Sequence, residues 1–358
     1  MLFQYYFVPL FFALASCEAA SSRIVSGTAP FRYEYQEDYL EIPEQVKNNL
    51  LNGHGLTKDK DGNVYFTFQP MNVASTTQVL VRFKKDGGQY VGEAIGDPAL
   101  ASGVPHGLRI EHGADASDTF LYHANNDATI FKTTLEGEIV WKRNLSAWEQ
   151  ERPDFWPLKP TDSVVIPNSN ILLVADGYGS DYVHRFNTLT GAYIEGKSFG
   201  GKGNSSSDPV RFNTPHGIAI DEENKWIVVS DRSNNRIVYL TYDGKYVKSH
   251  KLQTEGLSLP CNEHFLEHSV VGAQVSIVPS LGETYQNMVA GSAGIYGPDG
   301  LLSVIEVAKH LGHLGHQHPH DALLTADGDA FVCCWSGPPT KGLGPAKGTI
   351  SFWKRLQD

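Results

Sequence analysis

The chain of 358 residues is long enough to bury a large core, and its formal net charge of −11 at pH 7 excludes nucleic acid and an anionic membrane face as partners. Cysteine is sparse, at four residues.

Residues 1–20 read MLFQYYFVPLFFALASCEAA, an apolar run ending in the small residues Ala15, Ser16, Ala19 and Ala20. This is the pattern of a cleavable secretory signal, although the basic n-region is missing and a membrane anchor is the alternative. The run is short for a span and no second apolar run follows, so a signal peptide and no stable membrane span are expected. Residues 21–51 form an N-terminal extension, within which Glu37 to Leu50 fits either a short helix or an edge strand.

From residue 52 onward one unit recurs. His54-Gly55-Leu56-Thr57 opens the first copy and Pro105-His106-Gly107-Leu108 the second. Pro160-Thr161-Asp162 opens the third, Pro215-His216-Gly217-Ile218 the fourth and Pro319-His320-Asp321-Ala322 the last. The stretch Val270 to Val278, with its histidine position falling near Ala273, supplies the fifth. Each opening leads into residues that alternate apolar and polar, and Asp-Gly turns such as Asp243-Gly244 separate the alternating runs. Period-2 alternation broken by such turns is the pattern of antiparallel hairpins. Six units of about 50 residues, with four strands each, predict an all-β fold, a six-bladed β-propeller over residues 52–358.

In a propeller the innermost strand of each blade begins or ends at the central channel. That is where His54, His106, His216 and His320 fall. Imidazoles converging from separate blades can hold a transition metal such as zinc and leave a position open for substrate. His318, in the histidine-rich tract from His310 to His320, is a close neighbour. Asp176-Gly177-Tyr178 and Asp231-Arg232 occupy equivalent turns after the second strand. Tyr178 and Arg232 there either face the channel, as a base and a forked donor, or pack between blades. Asn144-Leu145-Ser146 and Asn204-Ser205-Ser206 are glycosylation sequons and suit a secretory route. Cys333 and Cys334, adjacent on a strand, point to opposite faces and do not suit a mutual bond, whereas one of them pairing with Cys261 is expected in an oxidising compartment.

The order of these motifs resembles the catalytic propeller of the peptidyl-α-hydroxyglycine α-amidating lyases, relatives of the NHL-repeat proteins. The elements that carry the likeness are Pro105-His106-Gly107-Leu108, Pro160-Thr161-Asp162 with Asp176-Gly177-Tyr178-Gly179, Pro215-His216-Gly217 with Asp231-Arg232, and Pro319-His320-Asp321. The resemblance implies a secreted zinc enzyme that splits a peptide ending in α-hydroxyglycine into a C-terminal amide and glyoxylate. It implies zinc on His106, His216 and His320, Tyr178 as base and Arg232 in the same pocket. It also implies a structural calcium held by Asp321 and the backbone carbonyls of Leu108 and Leu56. The hydroxylated substrate would come from a separate peptidylglycine monooxygenase. Four departures stand out. Gln69 replaces a family arginine, His318 replaces a methionine, and Gly179 replaces a cysteine after the tyrosine. His54 is an additional channel histidine and thus a further candidate ligand. Two other readings stay open: a metal-dependent oxygenase built on a multi-histidine site, and a non-catalytic extracellular binding propeller.

Overall fold

In the computed structural model the described residues are 23–204, 208–266, 272–282, 290–335 and 349–357. The signal-like run and Ser205 and Ser206 of the second sequon lie outside them. The strands form six sheets, all antiparallel except for one short parallel edge pairing. This is the six-bladed propeller that the repeat predicts.

Each blade runs from an inner strand at the axis to an outer strand at the rim. In the second blade these are Pro105–Glu111, Phe120–Asn125, Thr129–Thr133 and Ile139–Asn144. The fourth repeats the pattern with Pro215–Asp221, Trp226–Asp231, Arg236–Thr241 and Tyr246–Lys251. Inner and middle strands are buried on both faces because each sheet packs between two neighbours. Their β-branched and aromatic residues, among them Ile218, Ile227, Val229, Val238 and Leu240, fill the wedge between blades.

The ring closes through the N-terminal extension. Phe31–Tyr35 pairs with Ile350–Arg355 of the sixth blade, and Val25–Thr28 adds a fifth strand beyond it. Tyr33 and Phe31 are fully buried there with Trp353. The segment from Glu37 contains both of the elements that its sequence fits. Leu40–Glu41 pairs in parallel with the outer strand of the first blade, and Glu44–Asn49 is a short helix leading into the first inner strand, Leu50–Lys58.

The fifth blade departs from the expected register. Its inner strand is His264–Leu266, three residues long, and Val275–Ser280 is its second strand. The histidine position of this blade is therefore Cys261, which follows Pro260 as His216 follows Pro215. The polar run Asn262-Glu263-His264 has no apolar alternation, so the periodicity points to the next strand instead.

The expected disulfide is absent. Cys261, Cys333 and Cys334 are all unbonded and fully buried. Cys333 packs in the core against the first blade and Cys334 in the core against the fifth, while Cys261 lies at the axis.

Candidate metal centre

Four of the six inner strands open on a β-bulge at the histidine. In the second blade Pro105 faces Asn125 and Gly107 faces Ala124, so His106 has no partner in the ladder. The same shift occurs around His54, His216 and His320. A bulge re-aims the extra residue, and here it turns four imidazoles into the channel. At His54, His106 and His216 a glycine follows, and the neighbouring blade requires it. A Cβ on Gly217 would lie 2.3 Å from the Cys261 carbonyl, and one on Gly107 would lie 2.6 Å from the Asp162 Cα.

The rings meet at the axis. Centroids of His54, His106 and His320 are 4.6 Å apart pairwise. His216 lies 4.6 Å from His320 and 4.9 Å from His106. Donor atoms within 4.8 Å of one another form two trios that share His320: His54 with His106, and His216 with Cys261. The thiol of Cys261 is the channel residue that sequence reading missed. The Pro260-Cys261 dipeptide at the repeat position was the available signal.

Second interactions orient the rings. The Nδ1 atoms of His106 and His320 donate to the carbonyls of Thr161 (2.7 Å) and His54 (2.9 Å), and His216 Nδ1 faces Asn262 Oδ1 at 3.0 Å. Each of these three rings thus presents an Nε2 lone pair inward, as a metal ligand must, while His54 turns its Nδ1 toward His320 Nε2 at 3.4 Å. The buried Nε2 atoms of His54 and His106 have no hydrogen-bond partner. Burial pushes the pKa of His106, His216 and His320 well below the ordinary value, and His54 down to about 4 against the opposing Gln69 side chain. These histidines are neutral at pH 7. Orphaned ring nitrogens and neutral imidazoles both fit a transition metal.

Tyr178 and Arg232 face this ring rather than packing between blades. The Tyr178 hydroxyl lies 3.0 Å from His216 Nε2 and accepts from Arg232 Nη1 at 2.9 Å. The guanidinium also lies 4.9 Å from the Tyr178 ring centroid. Burial raises the phenol pKa, while the Arg232 charge and hydrogen bond oppose that rise. Cys261 is pushed up to about 12 by burial, again opposed by Arg232. Gln69 stands at the channel beside His54 and accepts from Asn52 Nδ2 at 3.0 Å. His318 does not join either trio. Its Nδ1 donates to the Leu281 carbonyl at 2.9 Å, and its ring lies on Trp335. Asn144 is exposed and its side chain caps Ser146, and Asn204 is also exposed.

Two of the three donors expected for calcium, Asp321 and the Leu56 carbonyl, converge, but on a protein cation. Asp321 Oδ2 and the Leu56 carbonyl each lie 3.4 Å from Arg109 Nη1, one residue after Leu108. Those oxygens are thus engaged by the guanidinium, and calcium does not fit there.

Comparison with known proteins agrees with the fold and with part of the resemblance. Residues 212–238 match the NHL repeat, over the bulge of His216 and the Asp231-Arg232 turn. The chain is 26% identical over 320 residues to peptidyl-glycine alpha-amidating monooxygenase of Mus musculus, covering 84% of this chain and 30% of that protein. The Rattus norvegicus protein is 26% identical over 300 residues, covering 80% of this chain and 28% of its own length. The chain thus spans about a third of these relatives. The crystal structure of virginiamycin B lyase from Staphylococcus aureus superposes with a TM-score of 0.50 at 14% identity, covering 86% of this chain and 98% of that one. At that identity the likeness is one of fold. Among the described residues no helix is long and apolar enough to cross a membrane.

Proposed function

We propose that this propeller is a secreted, zinc-dependent lyase that cleaves peptidyl-α-hydroxyglycine to a C-terminally amidated peptide and glyoxylate. One observation carries the reading: the Tyr178 hydroxyl sits between His216 of the imidazole ring and the Arg232 guanidinium. The similarity to amidating monooxygenases supports it.

His106 and His320 would hold the zinc together with His216 of the neighbouring trio, and His54, grouped with His106 and His320, would be a fourth ligand. When bound, the metal would supply Lewis acidity toward the hydroxyl or carboxylate oxygens of the substrate. The residues perform the rest. Burial raises the Tyr178 pKa above its ordinary value, and the positive charge of Arg232 offsets part of that rise, the direction that a base requires. The phenolate takes the proton of the substrate hydroxyl, and the oxygen pair forms the aldehyde carbonyl. The carbon–nitrogen bond breaks with its electrons on nitrogen, which takes the proton now held by Tyr178 and leaves as the amide. Atoms balance without any oxidant. Arg232 is also the guanidinium placed to receive the substrate carboxylate, a task for which Gln69 offers only an amide. The α-hydroxylated peptide would be made by a separate monooxygenase.

The test is glyoxylate release from a hydroxyglycine-terminated peptide, with and without a chelator. Chelator-sensitive release that is restored by zinc supports the proposal; no release from metal-replete protein refutes it. His54 favours a second reading, because a fourth inward imidazole resembles a multi-histidine oxygenase site. Iron or copper in the purified protein, with oxygen uptake, would support that reading instead.

A further inference from the structure

Directly below the imidazole ring, the axis holds a second layer that the lyase reading does not use. Its centre is Arg109, from the inner strand of the second blade and 5% exposed. Nη2 donates to Asp162 Oδ2 of the third blade at 2.6 Å. Nη1 reaches the Leu56 carbonyl of the first blade and Asp321 Oδ2 of the sixth, each at 3.4 Å, and touches His264 Nε2 of the fifth. His264 Nε2 also donates to Asp321 Oδ1 at 2.8 Å. The Ile218 amide of the fourth blade donates to Asp162 Oδ2 at 3.1 Å, and the Leu56 amide donates to Asp321 Oδ2 at 2.9 Å. Every blade contributes a group to this layer.

We propose that the Arg109 guanidinium is a built-in cation that replaces a structural calcium, so that the propeller ties its six blades together at the axis without a bound ion. Two buried carboxylates from opposite sides of the channel need a positive partner. A divalent ion among the same oxygens would lie against the guanidinium, a like-charge contact that the buried axis barely screens. The planar fork also gives what a spherical ion cannot. It reaches Asp162 with one nitrogen and Asp321 with the other, so two ion pairs to different blades are joined through one side chain anchored in the second. The proposal does not depend on the lyase reading.

The experiment uses the full chain, purified in calcium-containing buffer and desalted, with calcium counted by elemental analysis and melting followed as calcium is added back. The expected result is no stoichiometric calcium and a melting temperature that calcium does not move, whether or not the imidazole ring is loaded. Arg109→Ala should melt roughly 5–10 °C lower, because it leaves Asp162 and Asp321 without their cation. About one calcium per wild-type chain, or a saturable rise in wild-type melting temperature with calcium, overturns the proposal. An Arg109→Ala protein as stable as wild type also overturns it. Should that variant fail to fold, the wild-type calcium measurements decide alone. Glyoxylate assays on the wild type report separately on the imidazole layer.

Discussion

Substituting Tyr178 by phenylalanine removes one oxygen and leaves the ring in place. That oxygen accepts from Arg232 Nη1 at 2.9 Å and lies 3.0 Å from His216 Nε2. Tyr178 and Arg232 are both partly exposed at the channel, so water can take up the freed donor. The stability cost is then about 1 kcal/mol, a fall of a few degrees at most in melting temperature. The cost to catalysis is larger. Loss of a positioned base is worth roughly 10²–10⁴-fold, or about 3–5 kcal/mol in the barrier. Zinc content should not change, because the inward Nε2 atoms are held by their Nδ1 partners on Thr161, Asn262 and His54 rather than by Tyr178. The assay is steady-state glyoxylate release, together with metal analysis and a thermal melt on the same preparation. If Tyr178→Phe turns over as fast as wild type, Tyr178 is not the base. If it loses zinc along with activity, its role is structural.

Three further outcomes follow from the same geometry. The metal-stripped protein should lose stability as pH falls. Its axial histidines have folded pKa values below the unfolded value, so their contribution is present above about pH 6.5 and is lost toward the folded values, about 4 for His54. Asp162, pushed up to about 7 by burial against the pull of Arg109, acts in the opposite direction and softens the slope; a melting temperature that rises from pH 7 to pH 5 would contradict this ledger. Cys261, Cys333 and Cys334 should react with a thiol reagent only after unfolding, since all three are unbonded and fully buried, and a peptide map showing a Cys261 disulfide would overturn the assignment. Gly217→Ala sets a methyl group 2.3 Å from the Cys261 carbonyl, so blades four and five must separate at the axis at a cost of about 1–3 kcal/mol in chemical denaturation.

Much of the architecture is legible in the residues. The proline–histidine dipeptides at 105, 215 and 319 mark inner strands, and the alternation after them sets strand direction and facing. The equivalent turns at Asp176 and Asp231 place Tyr178 and Arg232 near the same opening. Local pattern stops where the chain lacks it. The fifth inner strand is three residues of mixed character, His264–Leu266, so its repeat position at Cys261 is hidden behind the stronger apolar signal of Val275–Ser280.

What the sequence determines by itself is the repeat, and through it the kind of side chain delivered to each blade's axial end, because both follow from residues close together along the chain. Only the tertiary structure decides what those ends do to one another. Strands from residues 25–35 close a ring whose last blade ends more than 300 residues later. Cys261 joins the imidazoles, His318 turns away to Leu281 and Trp335, and Arg109 fills the space read as a calcium site. These outcomes depend on distances across the channel between blades far apart in sequence, and no local periodicity encodes such distances.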